Sequence, residues 1–403
     1  MTVKSALIIG SGIAGPVMAV ALQRAGIEAT VYERYDGPAV GVGGALMLAP
    51  NGMAALGVLG LDEAVREVGV PTPRMVMETG TGKRLGEFTD LPGLPTSHTF
   101  ARADLYQVLV EQAVARGVEI EYGKRLVGLE NLADGPSGGA VAHFADGSSA
   151  TADVLIGADG IRSTVRTLLD PNAPKPRYVG LIGLGGWVSG RGLPSTNGAM
   201  HFAFGKRGFF GYMVEDDGRT GWFANLPAPR YVSAAEAQQT PPHEWVRRLK
   251  EFFADDTLPA LTMLDRIRED ELVNVGGMED MPPVPVWHRG RTVLVGDAAH
   301  ATSPSSGQGA SIAIESAIEL ARCLRDRPTI QEAFQVYEAS RRPRVEKIIK
   351  QTARVNSDKA PGPVGRFIRD VTFPIAMRTF YNQEKMMGWI HRYTIDWQEK
   401  AAA

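Results

Sequence analysis

The apolar run Ala6-Leu7-Ile8-Ile9 stops at Gly10-Ser11-Gly12-Ile13-Ala14-Gly15 and gives way to Pro16–Arg24, where Val17, Ala21 and Leu22 fall near helical spacing. A strand, a tight turn and a helix satisfy that pattern. In such a turn Gly10 permits the bend, Gly12 lets a pyrophosphate approach bare backbone, and Gly15 lets helix and strand pack closely. The helix N-terminus then faces the phosphates. Thr30-Val31-Tyr32 reads as a second strand ending at Glu33, where an acid bonds a ribose hydroxyl and favours an unphosphorylated ribose. A lone glycine-rich turn is weak evidence. The strand before it, the helix after it and the acid beyond make it a dinucleotide site. Two further segments stand out downstream, Gly157-Ala158-Asp159-Gly160 and Gly296-Asp297-Ala298-Ala299-His300.

A chain of 403 residues suggests two or three structural units. Its 43 basic and 45 acidic residues nearly cancel, giving a net charge of -2 and no general attraction to nucleic acid or an anionic membrane. No apolar stretch reaches the roughly 20 residues of a spanning helix. The first strand starts near residue 6 without a charged-then-apolar leader, so a cytoplasmic location is expected. The single cysteine, Cys323, lies in an apolar helical pattern and reads as core, and one cysteine forms neither an internal disulfide nor a thiolate metal site. The seven histidines lack metal-binding spacing, so no metal is expected.

The expected class is α/β. Residues 1–175 and 275–350 form a discontinuous Rossmann-like domain, 176–274 an inserted, mainly antiparallel β-sheet domain, and 351–403 a C-terminal helical segment. Residues 102–116 read as a helix closed by Gly117. Residues 140–156 read as a hairpin turning at Asp146-Gly147, whose second strand runs into Asp159. From 177 to 226 short aromatic-rich strands alternate with turns, and their aromatics are either core or the lining of an apolar cavity. Residues 329–355 read as a helix interrupted near Pro343. Its basic cluster, Arg341, Arg342, Arg344, Lys347, Lys350 and Arg354, is either a solvated face or a landing surface for an anion.

In order and spacing, the three glycine-containing segments resemble those of the class A FAD-dependent aromatic hydroxylases, the single-component flavoprotein monooxygenases that include para-hydroxybenzoate hydroxylase. The resemblance spans about residues 5–350. It implies a GR2-type FAD domain and assigns Gly10, Gly12, Ile13, Ala14, Gly15, Glu33 and Arg34 to the ADP half of the cofactor. Gly44, Ala45 and Pro50-Asn51 resemble the family's loop near the flavin ring. Arg102 matches an arginine reaching the ribityl and phosphate region, and Leu126 falls where a backbone contact to adenine is usual. Asp159 lies in the segment linked to FAD and NAD(P)H binding, and Asp297 matches a carboxylate on the ribityl chain. Pro304, Gly307, Gln308, Gly309 and Ala310 match the loop beside the isoalloxazine. A helix starting near Gly309 would aim its positive end at the flavin N1–C2 edge. Two departures from the family pattern are Ser311 for a frequent Asn and Ser316, after Glu315, for a frequent Asp. Read from the residues alone, the lesser alternatives are Asp159 as a cap for a helix near Ser163 and Arg102 as an ordinary first-turn arginine, whereas His300 reads as structural rather than as an acid or base.

The implied activity is oxygen insertion into an aromatic or electron-rich apolar molecule, by hydroxylation or epoxidation. NAD(P)H serves as transient reductant and O2 reacts through a flavin C4a-hydroperoxide. No protein nucleophile or other catalytic side chain is required. Leu46, Met47, Trp187, Phe202, Tyr212, Met213, Trp222 and Pro304 are the expected substrate-contacting residues, with Tyr212 a candidate partner for a substrate hydroxyl. The alternatives are a reductase, dehydrogenase or halogenase on the same fold, although the Trp-x-Trp-x-Ile-Pro signature of the halogenases is missing, or a non-catalytic flavin- or ligand-binding protein. A monomer or weak dimer is expected.

Overall fold

A computed structural model of the chain describes residues 3–38, 44–132, 138–190, 192–268, 271–303, 307–357, 365, 368, 370–375 and 382–401. Its first layer is a six-stranded sheet in the order His288–Arg289, Thr292–Leu294, Val154–Gly157, Ser5–Ile9, Glu28–Tyr32, Glu119–Glu121. Every neighbouring pair is parallel except the one at the His288–Arg289 edge. Its central strands are apolar and buried through Leu7, Ile8, Ile9, Val154, Leu155, Ile156, Val293 and Leu294, as suits a sheet covered on both faces. The chain moves from Ser5–Ile9 to one neighbour through the helix Ala14–Arg24 and returns later to the other side. That reversal of strand order opens a crevice at the carboxyl ends of the strands.

The second layer is a seven-stranded sheet in the order Leu272–Asp280, Arg177–Val188, Thr220–Pro227, Phe209–Val214, Ala199–Phe204, Arg74–Thr79, Arg84–Thr89. The 176–274 span expected for it omits two strands, because Ala199–Phe204 pairs in parallel with Arg74–Thr79. Its last strand also runs past 274 to Asp280. A parallel neighbour drawn from a distant segment leaves no local turn signal. Between the layers lies a small sheet in which His98–Ala101 pairs with both Ala45–Leu48 and Val70–Pro71.

The hairpin turn at Asp146-Gly147 forms as expected, with Gly147 at φ 85°. Its second strand, however, divides at Asp153, whose carboxylate accepts hydrogen bonds from the backbone N–H groups of Lys4 (2.7 Å) and Ser5 (3.1 Å). This fastening passes Val154–Gly157 into the parallel sheet. The helix Arg102–Ala115 also forms as expected, and Gly117 follows it at φ 84°. The helix Ile330–Ser357 continues through Pro343 where an interruption was expected. An internal proline removes one helical hydrogen bond, and the flanking arginines anchor that stretch to neighbouring elements. The helix Gln383–His391 follows near the C-terminus. Met387 and Trp389 pack beside Ile312, Val345, Ile348 and Ile390. Phe367 and Phe380 of the expected 351–403 helical segment lie outside the described residues.

Candidate functional site

Backbone contacts draw the three glycine-containing segments together at the crevice. Ala158 N–H donates to Ile9 O (2.8 Å), and Val295 N–H donates to Gly157 O (2.9 Å). Gly10 has φ 103°, and a Cβ there would lie 2.7 Å from Ala158 O. A Cβ on Gly15 would sit 2.0 Å from Gly10 O, so helix and turn meet with no room for a side chain. A Cβ on Gly12 would meet nothing within 4 Å. That side of the turn has room for a group such as a pyrophosphate, and the buried Ser11 Oγ has no hydrogen-bond partner among the described residues. The Glu33 carboxylate accepts from Ser11 N–H (2.8 Å) and Tyr35 N–H (3.1 Å), which holds it over the turn. Ile13 and Ala14 begin the helix, and exposed Arg34 donates to Tyr35 Oη (2.9 Å). Lys124 N–H donates to Glu33 O (2.7 Å), bringing the start of the Leu126–Asn131 strand alongside, with the Leu126 side chain buried.

Asp297 and Arg102 are both exposed at the starts of their helices, Asp297–His300 and Arg102–Ala115. Dense surrounding protein raises the Asp297 carboxyl above the usual carboxylate range, and the Arg102 charge opposes that shift. Arg102 N–H donates to Gly44 O (3.1 Å), and the neighbouring Ala45 pairs with Ala101. Asp159 makes the capping contacts: it accepts from Ser163 Oγ (2.5 Å) and from the N–H groups of Thr164 (2.7 Å) and Val165 (3.1 Å). Burial raises its carboxyl despite these donors. Arg166 in that helix donates to Ala298 O (2.9 Å), joining the second segment to the third.

Gly307, at φ 60°, opens a turn into the helix Gly309–Asp326, and a Cβ on it would lie 3.4 Å from Met47 Cε. Gln308 is buried and accepts from Asn51 Nδ2 (3.2 Å), while Gly309 and Ala310 are half-buried. Pro304 lies outside the described residues. Ser311 Oγ accepts from Ala49 N–H (3.2 Å), and Ser316 Oγ lies 3.0 Å from His300 Nε2. Burial first, then the Arg341 charge, lowers the His300 pKa to about 3, so the ring is neutral at ordinary pH. No cluster of three potential metal ligands occurs among the described residues.

The substrate residues expected on the large sheet divide between its two faces. Direct cross-strand partners share a face and successive residues alternate. His201, Tyr212 and Trp222 are partners on one face; Phe202, Gly211 and Phe223 are partners on the other. Met213, Gly221 and Trp187 join Phe202 and Phe223. Tyr212 and Trp222 therefore do not share the surface of Trp187, Phe202 and Met213, a correction that strand parity imposes. Trp222 stacks on Phe210 with ring centroids 6.1 Å apart. Tyr212 Oη donates to the buried Glu78 Oε1 (3.0 Å), and burial together with that carboxylate raises the phenol well above its ordinary range. The Trp187–Phe202–Met213–Phe223 face meets the small sheet: Thr72 Oγ1, which also has Val70 O at 2.8 Å, lies 2.9 Å from Thr99 Oγ1 and 3.6 Å from Met213 Sδ, and Thr99 pairs with Met47. Met47 thus links this face to the Gly307 turn, whereas Leu46 packs against the Rossmann-like core. Phe209, Met77 and Phe373 complete the aromatic and thioether cluster around Phe202 and Phe223.

The basic cluster makes connections that spacing along the chain does not reveal. Arg341 is wholly buried and pairs with Glu315 (2.6 Å), itself wholly buried; Arg344 pairs with the same carboxylate (2.9 Å). Arg342 donates to Val284 O (2.8 Å) and bonds Glu338 (2.7 Å). The first part of the basic cluster is thus an internal fastening, neither a solvated face nor an anion landing surface. The one available signal was Glu315, an acid inside the apolar run Ile312–Ile318.

The family model described as FAD binding domain matches residues 4–352. The FAD-dependent urate hydroxylase of Mycolicibacterium vanbaalenii is 32% identical over 353 residues, covering 85% of each chain. The aurachin C monooxygenase/isomerase of Stigmatella aurantiaca is 30% identical over 365 residues, covering 87% of this chain and 88% of that protein. The crystal structure of Klebsiella pneumoniae HpxO complexed with FAD and uric acid shares the fold, with a TM-score of 0.82 at 24% identity and 96% coverage of both chains. The open Gly12 cradle, the Glu33 carboxylate, Arg102 and Asp297 suit an ADP-containing flavin, and on the family match the chain belongs to the FAD binding domain family, that of the class A FAD-dependent hydroxylases and monooxygenases.

Proposed function

We propose that this protein is an NAD(P)H-dependent FAD monooxygenase that hydroxylates or epoxidises an aromatic or otherwise electron-rich small molecule. The observation that carries the reading is the continuity from the Gly307 turn through Met47 to the face bearing Met213, Trp187, Phe202 and Phe223. When bound, FAD supplies hydride acceptance and oxygen activation, the chemistry that protein side chains lack. The Gly12 turn and its helix N-terminus would receive the pyrophosphate, Glu33 the ribose, and Arg102 and Asp297 the phosphate and ribityl region. Backbone N–H groups around Gly307 and Gly309 would hold the flavin's carbonyl edge. The aromatic and methionine face orients an apolar ring and keeps water from the reacting centre. The hydroxylase and monooxygenase relatives support oxygenation as the reaction type. No described helix is long and apolar enough to cross a membrane, and a cytoplasmic monomer or weak dimer accompanies this reading.

The test is NADH and NADPH oxidation by the FAD-loaded protein with phenols, indoles and polycyclic aromatics, followed by mass analysis. Ligand-stimulated oxidation with a product one oxygen atom heavier is expected. NAD(P)H consumption with every panel member recovered unchanged would favour a reductase.

A further inference from the structure

Behind the Gly307 turn, buried polar groups form one connected chain. Asn51 is wholly buried, and its Nδ2 donates to Gln308 Oε1 (3.2 Å) and Glu315 Oε1 (2.6 Å). A side-chain amide has two N–H donors on one side, and two acceptors here claim both, so Asn51 sits in a single orientation. Its Oδ1 is left without a partner among the described residues. A buried acceptor left unpaired is unfavourable, so the donor side holds this side chain in place. Glu315 in turn accepts from Arg344 through both oxygens (2.9 Å each) and from Arg341 (2.6 Å). Arg344 then donates to the carbonyls of Trp389 and Ile390, both at 2.9 Å, in the helix Gln383–His391. The sequence Gln308–Asn51–Glu315–Arg344 thus joins the turn to the C-terminal helix across four separate elements.

The geometry points to Asn51 as a positioning residue for the Gly307–Ala310 turn, with the Glu315–Arg341–Arg344 cluster as its fixed base and the C-terminal helix as that base's outer anchor. The inference rests on the proposed placement of the flavin edge at this turn. Asn51 acts only through Gln308: it holds the turn so that its N–H groups and the first turn of the helix Gly309–Asp326 face one point. Aspartate in its place would set a second carboxylate against Glu315, and leucine would keep the volume but lose both donors.

The experiment uses the FAD-loaded full chain and Asn51→Leu, Gln308→Met and Arg344→Met variants. The readouts are the FAD dissociation constant, the flavin reduction potential and amide hydrogen exchange over 307–312 and 383–391, measured with and without FAD. Asn51→Leu and Gln308→Met are expected to speed exchange over 307–312 in the FAD-free protein. Both should weaken FAD about fivefold, because each removes the one neutral hydrogen bond between Asn51 and Gln308 that holds the turn. Both should also make the potential more negative, because a loosened helix start stabilises reduced flavin less. Arg344→Met should speed exchange in both segments. Should Asn51→Leu fail to fold, Gln308→Met decides, since it leaves the Asn51–Glu315 bond intact. Unchanged potential and exchange in a variant of a wild type that binds FAD overturn the inference. A wild type with no FAD affinity overturns instead the functional reading beneath it.

Discussion

Gly12 in the turn and Gly15 at the start of the following helix lie three residues apart, yet adding a methyl group to each should harm different properties. In Gly12→Ala the new Cβ enters space with no protein atom within 4 Å, so the FAD-free fold should change by less than about 0.5 kcal/mol. The same methyl stands where the pyrophosphate approaches. Displacing a phosphate oxygen from a backbone N–H loses a charge-assisted hydrogen bond of about 1.5–3 kcal/mol, which weakens FAD binding about 10- to 150-fold. In Gly15→Ala the Cβ would lie 2.0 Å from Gly10 O, against a lower limit near 3.0 Å for real contacts, so backbone must move by about an ångström. That strain should remove about 1–3 kcal/mol from the FAD-free protein itself. Urea denaturation of both apoproteins gives the stability half, and FAD titration followed by flavin fluorescence gives the binding half. The reasoning fails if Gly12→Ala binds FAD like wild type, or if it destabilises the apoprotein as much as Gly15→Ala does.

Glu315→Gln leaves buried Arg341 and half-buried Arg344 without their anion and should lose about 3–5 kcal/mol in urea unfolding; wild-type stability in that variant would refute the fastening role. The pH dependence follows from two buried imidazoles. Burial, with Arg341 at His300 and Arg344 at His391, lowers their pKa values to about 3 and about 4. From about pH 6.5, the unfolded histidine value, down to those values, the unfolded chain binds protons that the folded chain does not. Stability therefore falls as pH drops through that window, by at most about 1.4 kcal/mol per pH unit for each group. Glu315 adds to the acid loss at lower pH: burial raises its carboxyl, but Arg341 and Arg344 outweigh burial and hold the folded value below the usual range. Its contribution is present above the unfolded value and is lost as pH falls through the folded one. Urea midpoints between pH 7 and 4 check the sign, and a flat profile contradicts it. Tyr212→Phe should leave KM for the oxygenated substrate unchanged while lowering stability by about 1–2 kcal/mol, because its hydroxyl serves Glu78. Phe223→Ala, on the opposite face, should raise KM, and the reverse pattern in steady-state kinetics would exchange the two faces.

The Rossmann-like half was legible because each of its signals is local. An apolar run followed by Gly10, an acid at Glu33 and two short glycine segments leave few folds, and the chain brings all of them to one crevice. The large sheet was legible only as a texture of aromatic strands. Its pairing to Arg74–Thr79 joins segments far apart in the chain, and the parity that separates Tyr212 from Met213 depends on register. Two neighbouring aromatic-rich positions look alike until the strand partners are known. The arginines near Pro343 misled for a related reason: a run of charge resembles a solvated face, and its neutralising partner Glu315 sits on a different helix. Asp159 makes to Thr164 and Val165 the capping bonds that the residues alone allowed, and these bonds tie the second glycine segment to the start of its helix.

The central claim is that the crevice, the Gly307 turn and the Met47–Met213–Phe223 surface are parts of one site. The most direct measurement is a crystal structure of the protein with FAD. The account predicts the pyrophosphate at Gly12, the ribityl chain between Arg102 and Asp297, and the isoalloxazine edge at Gly307–Ala310 with its open side toward Met47 and Phe223. An isoalloxazine bound away from that turn, or facing Tyr212 and Trp222, would contradict it.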